Sequence, residues 1–591
     1  MYTTSFAFFE ALWDAGVEYV FVNLGSDHPS IIEAMVKGSR EKKGQFPRII
    51  TCPNERGGHV HGKRLRAPEQ QTASRDRARR RRDPRAWGSR AQRERGTRAT
   101  CSCSRASRPS RRKGELRGSR TGVHPLDSRT VPDLEADRRA VLPLCGRARK
   151  TGVNVKQMVN RALQFARSGP QGPVYLCGSR EVMEMEMEPY EIRQEEWEPV
   201  ELGGLPAGAV RRIAEALAGA KEPLLVTGYG GRNQAMPAAL VELANTVKGL
   251  RVLDTGGSDM CFPADHPAWL GLRYGVEAAV TTADAIVVLD CDVPWITTQC
   301  KPKADAKIFH IDVDPLKQVM PLYYIAAQHR YRADGLTSVE QITALLQKDE
   351  GLKAQLSSAE SDKRWAAMEE SYKKHLETIA VRSKPLENGE FGTSHLCAKL
   401  KELCPEDTIW AIEAVTNTLF VHESLQPKLP GQWINCGGGG LGWSGGGALG
   451  IKLATDHEAK LKGEKGKFVV QIVGDGSYLF SVPGSVYWIA KRYNIPILTI
   501  VLNNKGWNAP RKSLLLVHPE GLGSQASNEE INISFDPSPD YAGIAKAAAG
   551  GDIHAAKVDK AADLERVLKE AIEVVQGGQT AVLDCKVSMG C

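Results

Sequence analysis

The 591-residue sequence has no apolar run long enough to cross a bilayer and no internal repeat of the kind that builds solenoids. Its first residues lack the basic, apolar and small-residue regions of a signal peptide and the Arg- and Ser-rich character of a transit peptide. These absences predict a cytoplasmic protein without a membrane partner. The 13 Cys have no repeating spacing, which favours reduced thiols over a disulfide framework. A hydrophobic fraction of 42% excludes a disordered or collagen-like chain, and the length predicts several domains.

One segment sets the sign of the net charge of +8. Residues 56–150 contain 25 Arg and 3 Lys against 9 Asp and Glu, a net charge of +19. The rest of the chain has 50 basic against 61 acidic residues, a net charge of −11. The segment has few aliphatic residues and no helical or strand period, and it follows directly on the strand-like run FPRIITCPNE. The total charge therefore combines two unlike parts.

Two interpretations of this Arg-rich segment (56–149) lead to different expectations. A basic arm would contact the phosphates of a nucleic-acid partner, although such arms usually lie at a terminus or in a linker. We favour the second interpretation, translation out of frame. With plausible GC-rich codons, a shift of one nucleotide turns residues 89–110 into AHNASAGRAHVLVFAGLSPF, which has ordinary helix and strand patterning. The nucleotide sequence of codons 50–155 tests this hypothesis, which fails if no other frame encodes such strings.

The remaining sequence alternates helix-like and strand-like segments, which predicts three doubly wound α/β domains with parallel sheets. The expected boundaries are 1–195 for the first domain, which the Arg-rich segment disrupts, 205–348 for a central domain, 349–389 for a helical connector and 390–591 for the third domain. The strand-like runs are VEYVFVNL, RIITC and PVYLCG in the first domain, PLLVTGYGG, LRVLDTGG, DAIVVLDCD and KIFHIDVDP in the second, and DTIWAIE, KFVVQIV, PILTIVLNN and TAVLDCKV in the third.

The strongest functional signal is QIVGDGSYLFSVPGSVYWIAKRYNIPILTIVLNNKGWN in the third domain. It predicts a strand, a helix of roughly four turns and a parallel strand, so the polar tips GDGS and NN lie at the same edge of the sheet. The Asp475 carboxylate, the Asn504 amide oxygen and the Gly506 carbonyl are hard oxygen ligands for Mg²⁺, and a diphosphate and water would complete its octahedron. Gly474 and Gly476 let the backbone approach a phosphate. Two ordinary strand-end turns are the alternative.

This pair of motifs resembles the metal–diphosphate signature of the thiamine diphosphate enzymes of the acetolactate synthase and benzoylformate/pyruvate decarboxylase superfamily. The resemblance covers all three domains outside the Arg-rich segment. It implies the order pyrimidine-binding domain, central domain and diphosphate-binding domain. It also implies thiamine diphosphate and Mg²⁺ as cofactors, with Asp475, Asn504 and Gly506 as metal ligands. The implied cofactor-binding residues in the first motif are Gly474, Asp475, Gly476 and Ser477, with Asn504 from the second motif.

The resemblance also implies one catalytic carboxylate, Glu55, at the end of the strand-like run ITCPNE. In the family this Glu faces N1′ of the aminopyrimidine ring. A carboxyl group in an apolar pocket has a raised pKa and can share a proton with the ring nitrogen. A strand-end Glu taken alone is usually a solvated loop residue.

The stretch NCGGGGLGWSGGGALGIKLA allows two interpretations. Gly437, Gly439 and Gly442 form a GxGxxG pattern, and Asp456 lies near the distance expected for the ribose-binding acid of a dinucleotide site. However, 447–462 is patterned as a continuing helix, whereas that acid follows a strand. The resemblance instead implies a turn in which Leu441, flanked by Gly440 and Gly442, supports the bent cofactor.

Weaker signals concern the substrate and a second cofactor. The resemblance makes Ser26 and His28, in the turn NLGSDHPS, candidates for contact with a substrate carboxylate; alternatively Ser26 caps the helix that starts near Pro29. Trp507 is a candidate for the substrate pocket, with packing of the core or of a lid as the alternative. The central runs TGYGGR (227–232) and HIDVDP (310–315) resemble a domain that binds FAD in some members; FAD is possible here but unsupported.

The leading functional hypothesis is a thiamine diphosphate- and Mg²⁺-dependent enzyme that decarboxylates a 2-oxo acid and ligates the fragment to a second carbonyl, as acetolactate synthases do. A simple decarboxylase of the benzoylformate or pyruvate type is the alternative. The family's active site lies between two chains, which implies a homodimer or homotetramer. Two hypotheses belong to other functional classes. The chain could be a catalytically dead relative, because the Arg-rich segment follows Glu55, or a protein that binds nucleic acid through the Arg-rich segment. Nucleic-acid binding that persists without 56–149 would exclude this last hypothesis.

Overall fold

The computed structural model describes residues 1–54, 152–318, 324–435 and 440–588, and the backbone of 101–107 and 144–148. The chain divides into two compact units. Among the described residues, the first contains 1–54, 101–107, 144–148, 152–201 and 453–465, and the second contains 202–318, 324–435, 440–452 and 466–588. In the described chain no helix is both long enough and apolar enough to span a membrane. The eight cysteines whose side chains are described are free and buried, in agreement with the expected reduced thiols.

The first unit contains parallel strands and the helices that pack beside them. Its helices are α1 (Thr4–Asp14), α2 (Pro29–Glu41), α3 (Val155–Arg167) and α4 (Arg180–Glu184), and its strands are β1 (Tyr19–Val22), β2 (Arg48–Thr51), β3 (Cys101–Ser107), β4 (Leu144–Ala148) and β5 (Val174–Ser179). Strand β1 pairs with β2, and β5 lies between β3 and β4. Lys156 of α3 is 2% exposed, and its Nζ lies 2.6 Å from a carboxylate oxygen of Glu10 on α1. This buried ion pair joins two helices that are distant in sequence.

Two strands form within the Arg-rich segment, for which the sequence predicts no period. Strands β3 and β4 both pair in parallel with β5, which is buried throughout. A buried strand with unpaired N–H and C=O groups accepts a partner through backbone bonds, which any residue except proline can make. Strand β3 lies inside the string 89–110 that a shifted frame changes. The rest of the Arg-rich segment lies outside the described residues.

The second unit begins with a six-stranded parallel sheet in the order β11-β10-β9-β6-β7-β8. The strands are β6 (Pro223–Thr227), β7 (Arg251–Asp254), β8 (Trp269–Leu272), β9 (Ala285–Leu289), β10 (Lys307–Asp312) and β11 (His329–Arg332). The helices are α5 (Ala207–Gly219), α6 (Met236–Thr246), α7 (Ala278–Thr282) and α8 (Gly335–Lys348), followed by α9 (Glu350–Leu356) and α10 (Ala359–Arg382). The chain order reverses between β6 and β9, as in a doubly wound sheet.

A second six-stranded parallel sheet follows in the order β13-β12-β14-β15-β17-β16. Its strands are β12 (Ile409–Glu413), β13 (Trp433–Asn435), β14 (Val469–Gly474), β15 (Leu498–Asn503), β16 (His554–Val558) and β17 (Ala581–Lys586). Its helices are α11 (Thr393–Leu403), α12 (Thr418–Leu425), α13 (Ser444–Lys462), α14 (Asp475–Phe480), α15 (Pro483–Tyr493), α16 (Asn508–Val517), α17 (Leu522–Gln525), α18 (Tyr541–Ala548) and α19 (Ala561–Gln576). The parallel sheets and their helices agree with the predicted α/β fold class, and the predicted division into three domains stays a prediction.

The sequence predicts one continuous helix between β14 and β15, and this prediction is wrong. The chain forms two helices, α14 and α15, with Val482 between them in the left-handed region at φ +57°. Pro483 is the first residue of α15. Proline has no N–H to continue a helix, and its ring disfavours the helical conformation in the residue before it. The break therefore follows from Pro483.

Candidate functional site

The two polar motifs meet at the carboxyl edge of the third-domain sheet. Strands β14 and β15 are neighbours in parallel register, with Gly474 opposite Leu502, and their side chains are almost entirely buried. Asn503, the last residue of β15, donates through Nδ2 to Asp584 Oδ1 of β17 at 3.0 Å and to Ser538 Oγ at 3.1 Å. These bonds fix the end of β15, so that the next residue, Asn504, faces the motif at the end of β14.

Asp475 lies at the centre of this arrangement and is 3% exposed. Its Oδ1 accepts from the N–H of Gly476 at 2.7 Å, and its Oδ2 accepts from the N–H of Gly506 at 3.0 Å. Burial raises the pKa of the carboxyl group to about 6, although these backbone donors act to lower it. Hydrogen bonds do not fully compensate the burial of this carboxylate, so a bound cation would be strongly stabilised beside it.

The side-chain amide of Asn504 faces the same point. Its inner atom lies 3.3 Å from Asp475 Oδ2 and 3.0 Å from the carbonyl oxygen of Gly506. With the amide oxygen inward, three oxygens converge, and this is a donor set that fits Mg²⁺. Within the described chain no group of three or more His, Cys, Asp or Glu could hold a metal ion. The sequence-predicted ligands Asp475, Asn504 and Gly506 are therefore brought together, as two side-chain oxygens and one carbonyl.

The raised pKa of Asp475 gives the site a pH dependence. A proton on Asp475 competes with a cation, so the affinity for Mn²⁺ should fall about tenfold per pH unit below about pH 6 and be flat above about pH 7. The stability of the metal-free fold changes with pH in the opposite direction, because the pKa of about 6 in the folded chain exceeds the value of about 3.9 in the unfolded chain. The metal-free chain should gain stability from this group as the pH falls from about 6 to about 4. Mn²⁺ titrations between about pH 5 and 8 check the first expectation; equal affinities at both ends would contradict it.

The glycines of the two motifs have different local environments. A Cβ at Gly474 would meet no atom within 4 Å, which leaves room for a ligand. A Cβ at Gly476 would lie 2.2 Å from the ring of Trp507, so this glycine makes room for the indole. Gly506 has φ +148°, and its Cβ would lie 2.2 Å from the carbonyl oxygen of Ile533. Ser477, buried in α14, completes the first motif.

Trp507 is half-buried and packs edge-to-face against Phe480 and Phe535, with ring centroids 5.7 Å and 5.1 Å away. It covers the backbone of Gly476, one residue from Asp475. This packing agrees with the alternative interpretation of Trp507, and a role in the substrate pocket stays a prediction.

A buried carboxylate that the sequence reasoning missed at this site is Glu413, the last residue of β12. It is 3% exposed, and its two carboxylate oxygens accept from the N–H groups of Gly442 and Ser444, both at 2.6 Å. These bonds hold the turn that carries Gly440 and Leu441, the predicted cofactor support. Its only sequence signal is an acid at the end of a buried strand. Gly437 and Gly439 lie outside the described residues, and Asp456 lies in α13, which disfavours a dinucleotide site.

Replacing Glu413 with alanine should lower the free energy of unfolding by about 3 kcal/mol, because two buried N–H groups lose their carboxyl acceptor. We also expect weaker thiamine diphosphate binding, since the turn at 440–443 is released. Urea unfolding and calorimetric titration measure the two effects. Glu413→Gln keeps one acceptor oxygen and should show the smaller loss; equal stability of both variants and the parent would contradict this role.

The other predicted site residues lie in the first domain. Glu55 lies outside the described residues, so its catalytic role stays a prediction. Ser26 is exposed, and the idea that it caps the next helix is wrong: the N-cap residue of α2 is His28, and no side chain caps this end. His28 Nδ1 instead accepts from the N–H of Gly25 at 3.1 Å within the turn.

The central runs proposed for a flavin pack against their own neighbours. Lys317 is 1% exposed and donates to Asp312 Oδ2 at 2.6 Å and to Asp292 Oδ1 at 2.8 Å. The guanidinium of Arg232 lies 3.9 Å from the ring centroid of Tyr229. Lys317 therefore pairs with polar groups at the carboxyl ends of β9 and β10, and Arg232 and Tyr229 pack together after β6; FAD stays an open expectation.

Comparison with known proteins identifies the two later domains. The model of the thiamine pyrophosphate enzyme central domain matches residues 210–321, and that of the C-terminal TPP binding domain matches residues 414–585. A probable acetolactate synthase large subunit from Methanococcus aeolicus is 22% identical over 441 residues, which are 71% of this chain and 68% of that protein. The benzoylformate decarboxylase of Pseudomonas aeruginosa is 23% identical over 431 residues, which are 71% of this chain and 72% of that protein.

Solved structures extend the likeness of fold to the whole chain. The thiamine diphosphate-dependent 4-hydroxybenzoylformate decarboxylase of Rhodococcus jostii superposes with a TM-score of 0.70 at 16% identity and covers 99% of both chains. The matched domains include Asp475, Asn504 and Gly506. On these grounds, residues 210–321 and 414–585 match the central and C-terminal domains of thiamine pyrophosphate enzymes, and the chain is similar to acetolactate synthases and benzoylformate decarboxylases.

Proposed function

We propose that this protein binds thiamine diphosphate through Mg²⁺, decarboxylates a 2-oxo acid and ligates the remaining fragment to a second carbonyl, as an acetolactate synthase does. The observation that carries the proposal is the convergence of oxygens from Asp475, Asn504 and Gly506 on one point at the sheet edge. Three protein oxygens are too few to surround Mg²⁺ completely, so a bound ion would also need oxygens from the diphosphate and water.

The chain's own residues would have separate tasks. Asp475, Asn504 and Gly506 would hold the ion, and the open space beside Gly474 would admit the diphosphate. Glu413 would hold the turn on which Leu441 supports the cofactor. Glu55 would hold a proton at N1′ of the aminopyrimidine. When bound, thiamine diphosphate supplies the electron sink for cleavage between the carbonyl and the carboxylate of the 2-oxo acid.

A simple 2-oxo acid decarboxylase is the second candidate, favoured by the similarity to benzoylformate decarboxylase over 431 residues. The two activities differ in the fate of the fragment, which either takes a proton and leaves as an aldehyde or forms a carbon–carbon bond. Ser26, His28 and Trp507 are the proposed substrate contacts that would decide between them.

Two measurements test the proposed function. Calorimetric titration should show thiamine diphosphate binding that requires Mg²⁺, and equal binding with EDTA would contradict the metal site. With pyruvate or benzoylformate, one 2-hydroxy-3-oxo product per CO₂ indicates ligation, whereas one aldehyde per CO₂ indicates decarboxylation. Tight binding without CO₂ release would identify a catalytically dead relative.

We also propose that the chain forms a homodimer or homotetramer, as the family resemblance implies. Sedimentation velocity at increasing protein concentration measures the assembly state. A monomer at concentrations that sustain turnover would contradict this part of the proposal.

A further inference from the structure

The two ends of the Asn504 amide face different chemical environments. The inner atom lies near two acceptors, Gly506 O and Asp475 Oδ2, at 3.0 and 3.3 Å. The outer atom lies 2.7 Å from Nδ2 of Asn508, a donor that lies farther, at 3.2 Å, from the inner atom. Without a cation the amide is satisfied with its nitrogen inward, where it donates to both acceptors, and its oxygen outward, where it accepts from Asn508.

A cation requires the reverse orientation, because only the amide oxygen can ligate it. The Asn504 nitrogen then points outward, and two amide nitrogens would face each other at 2.7 Å. A contact between two donors is unfavourable. It becomes a hydrogen bond if the Asn508 amide also turns, so that its oxygen accepts from Asn504. Asn508 can serve both states because an amide carries a donor and an acceptor.

We propose that Asn508 forms a hydrogen-bonded amide pair with Asn504, and that the amides of Asn504 and Asn508 turn together when a divalent cation binds. The inference rests on the proposed metal site of Asp475, Asn504 and Gly506. Asn508 is the first residue of α16 and is half-buried, and no side-chain bond caps this helix at Trp507. Capping of the helix therefore gives no alternative reason for an amide directed at Asn504.

Two substitutions of Asn508 separate the orientations. An ionised Asp at position 508 can only accept hydrogen bonds. Asn508→Asp therefore favours the orientation of Asn504 in which its amide nitrogen points outward and its oxygen points inward to the metal. We expect this variant to bind Mn²⁺ about tenfold more tightly, which corresponds to ~1.4 kcal/mol. Asn508→Leu removes one bond from each orientation, so its affinity should stay within about twofold of the parent.

The test is a Mn²⁺ titration of the full chain with saturating thiamine diphosphate, in which electron paramagnetic resonance measures free Mn²⁺. Ser534→Asp is the matched control for charge. Ser534 pairs with Gly506 across an isolated bridge, so a carboxylate there lies near the site but beside a different residue. Its effect should be smaller and should disappear in about 0.5 M KCl, where bare Coulomb attraction is screened, whereas the gain in Asn508→Asp should persist.

Three results would overturn the inference. The first is an Asn508→Asp variant that binds Mn²⁺ no more tightly than the parent. The second is a gain in Mn²⁺ affinity that equals the gain in Ser534→Asp or disappears at high salt. The third is a loss of Mn²⁺ affinity in Asn508→Leu as large as the change in Asn508→Asp. The proposed metal site fails separately, if the parent does not bind Mn²⁺ or if Asp475→Ala binds it equally well; either result also removes the basis for the paired amides.

Discussion

Asp475→Ala should lower the affinity for Mg²⁺ at least about 100-fold and abolish metal-dependent binding of thiamine diphosphate. Even residues that only support metal ligands typically change affinity 10- to about 100-fold, and Asp475 is the one charged group of the three proposed ligands. Its removal leaves an amide oxygen and a carbonyl, too weak a set for a strongly hydrated ion. Calorimetric titration of Mg²⁺ and cofactor into parent and variant measures the loss.

Two companion variants make this result specific. Asp475→Asn retains a side-chain oxygen but no charge, and we expect an intermediate loss. Asp552→Ala removes an exposed carboxylate that pairs with Lys491, and it should bind like the parent. If Asp475→Ala retained the parent's affinity while its circular dichroism was unchanged, the ion would be held elsewhere.

The central part of this site follows from the sequence for a simple physical reason. Parallel strands end at one edge of a sheet, so GDGS and NN had to lie together once both strands were recognised. Other features depend on contacts that a linear sequence does not show. Glu413 holds the turn at Gly442 only because β12 lies beside β14, and Asn508 meets Asn504 only through the backbone turn at Gly506.

The strands that were missed in the two later domains show the same limit. They are β8, β11, β13 and β16, and these four are the edge strands of the two six-stranded sheets. The interior strands are nearly continuous apolar runs because both of their faces are covered. These four edge strands have three to five residues each, and β11 (HRYR) is polar as well, so each is recognised as a strand only through its pairing partner.

Lys317→Met should lower the free energy of unfolding by about 3–5 kcal/mol, the largest stability loss that we expect. Lys317 is buried between the carboxylates of Asp292 and Asp312, at 2.8 and 2.6 Å. Burial acts to raise the pKa of Asp312, but the hydrogen bond and the charge of Lys317, with the His310 ring nearby, outweigh it, and the net pKa lies far below its ordinary value. Methionine fills similar space without the charge, so both carboxylates remain buried without their cation. Urea unfolding of parent and variant measures the difference.

The pH dependence of this loss distinguishes a charge effect from a packing effect. In the parent, the lowered pKa of Asp312 stabilises the fold above the unfolded value of about 3.9, and this contribution disappears as the pH falls through the folded pKa. In Lys317→Met, burial and mutual repulsion should raise the pKa of the two carboxyls, so protonation restores stability from about pH 7 to about pH 5. Lys307→Met, at an exposed position of β10, should change stability by less than about 0.5 kcal/mol at every pH. A loss in Lys317→Met that is the same at both pH values would identify packing as its cause.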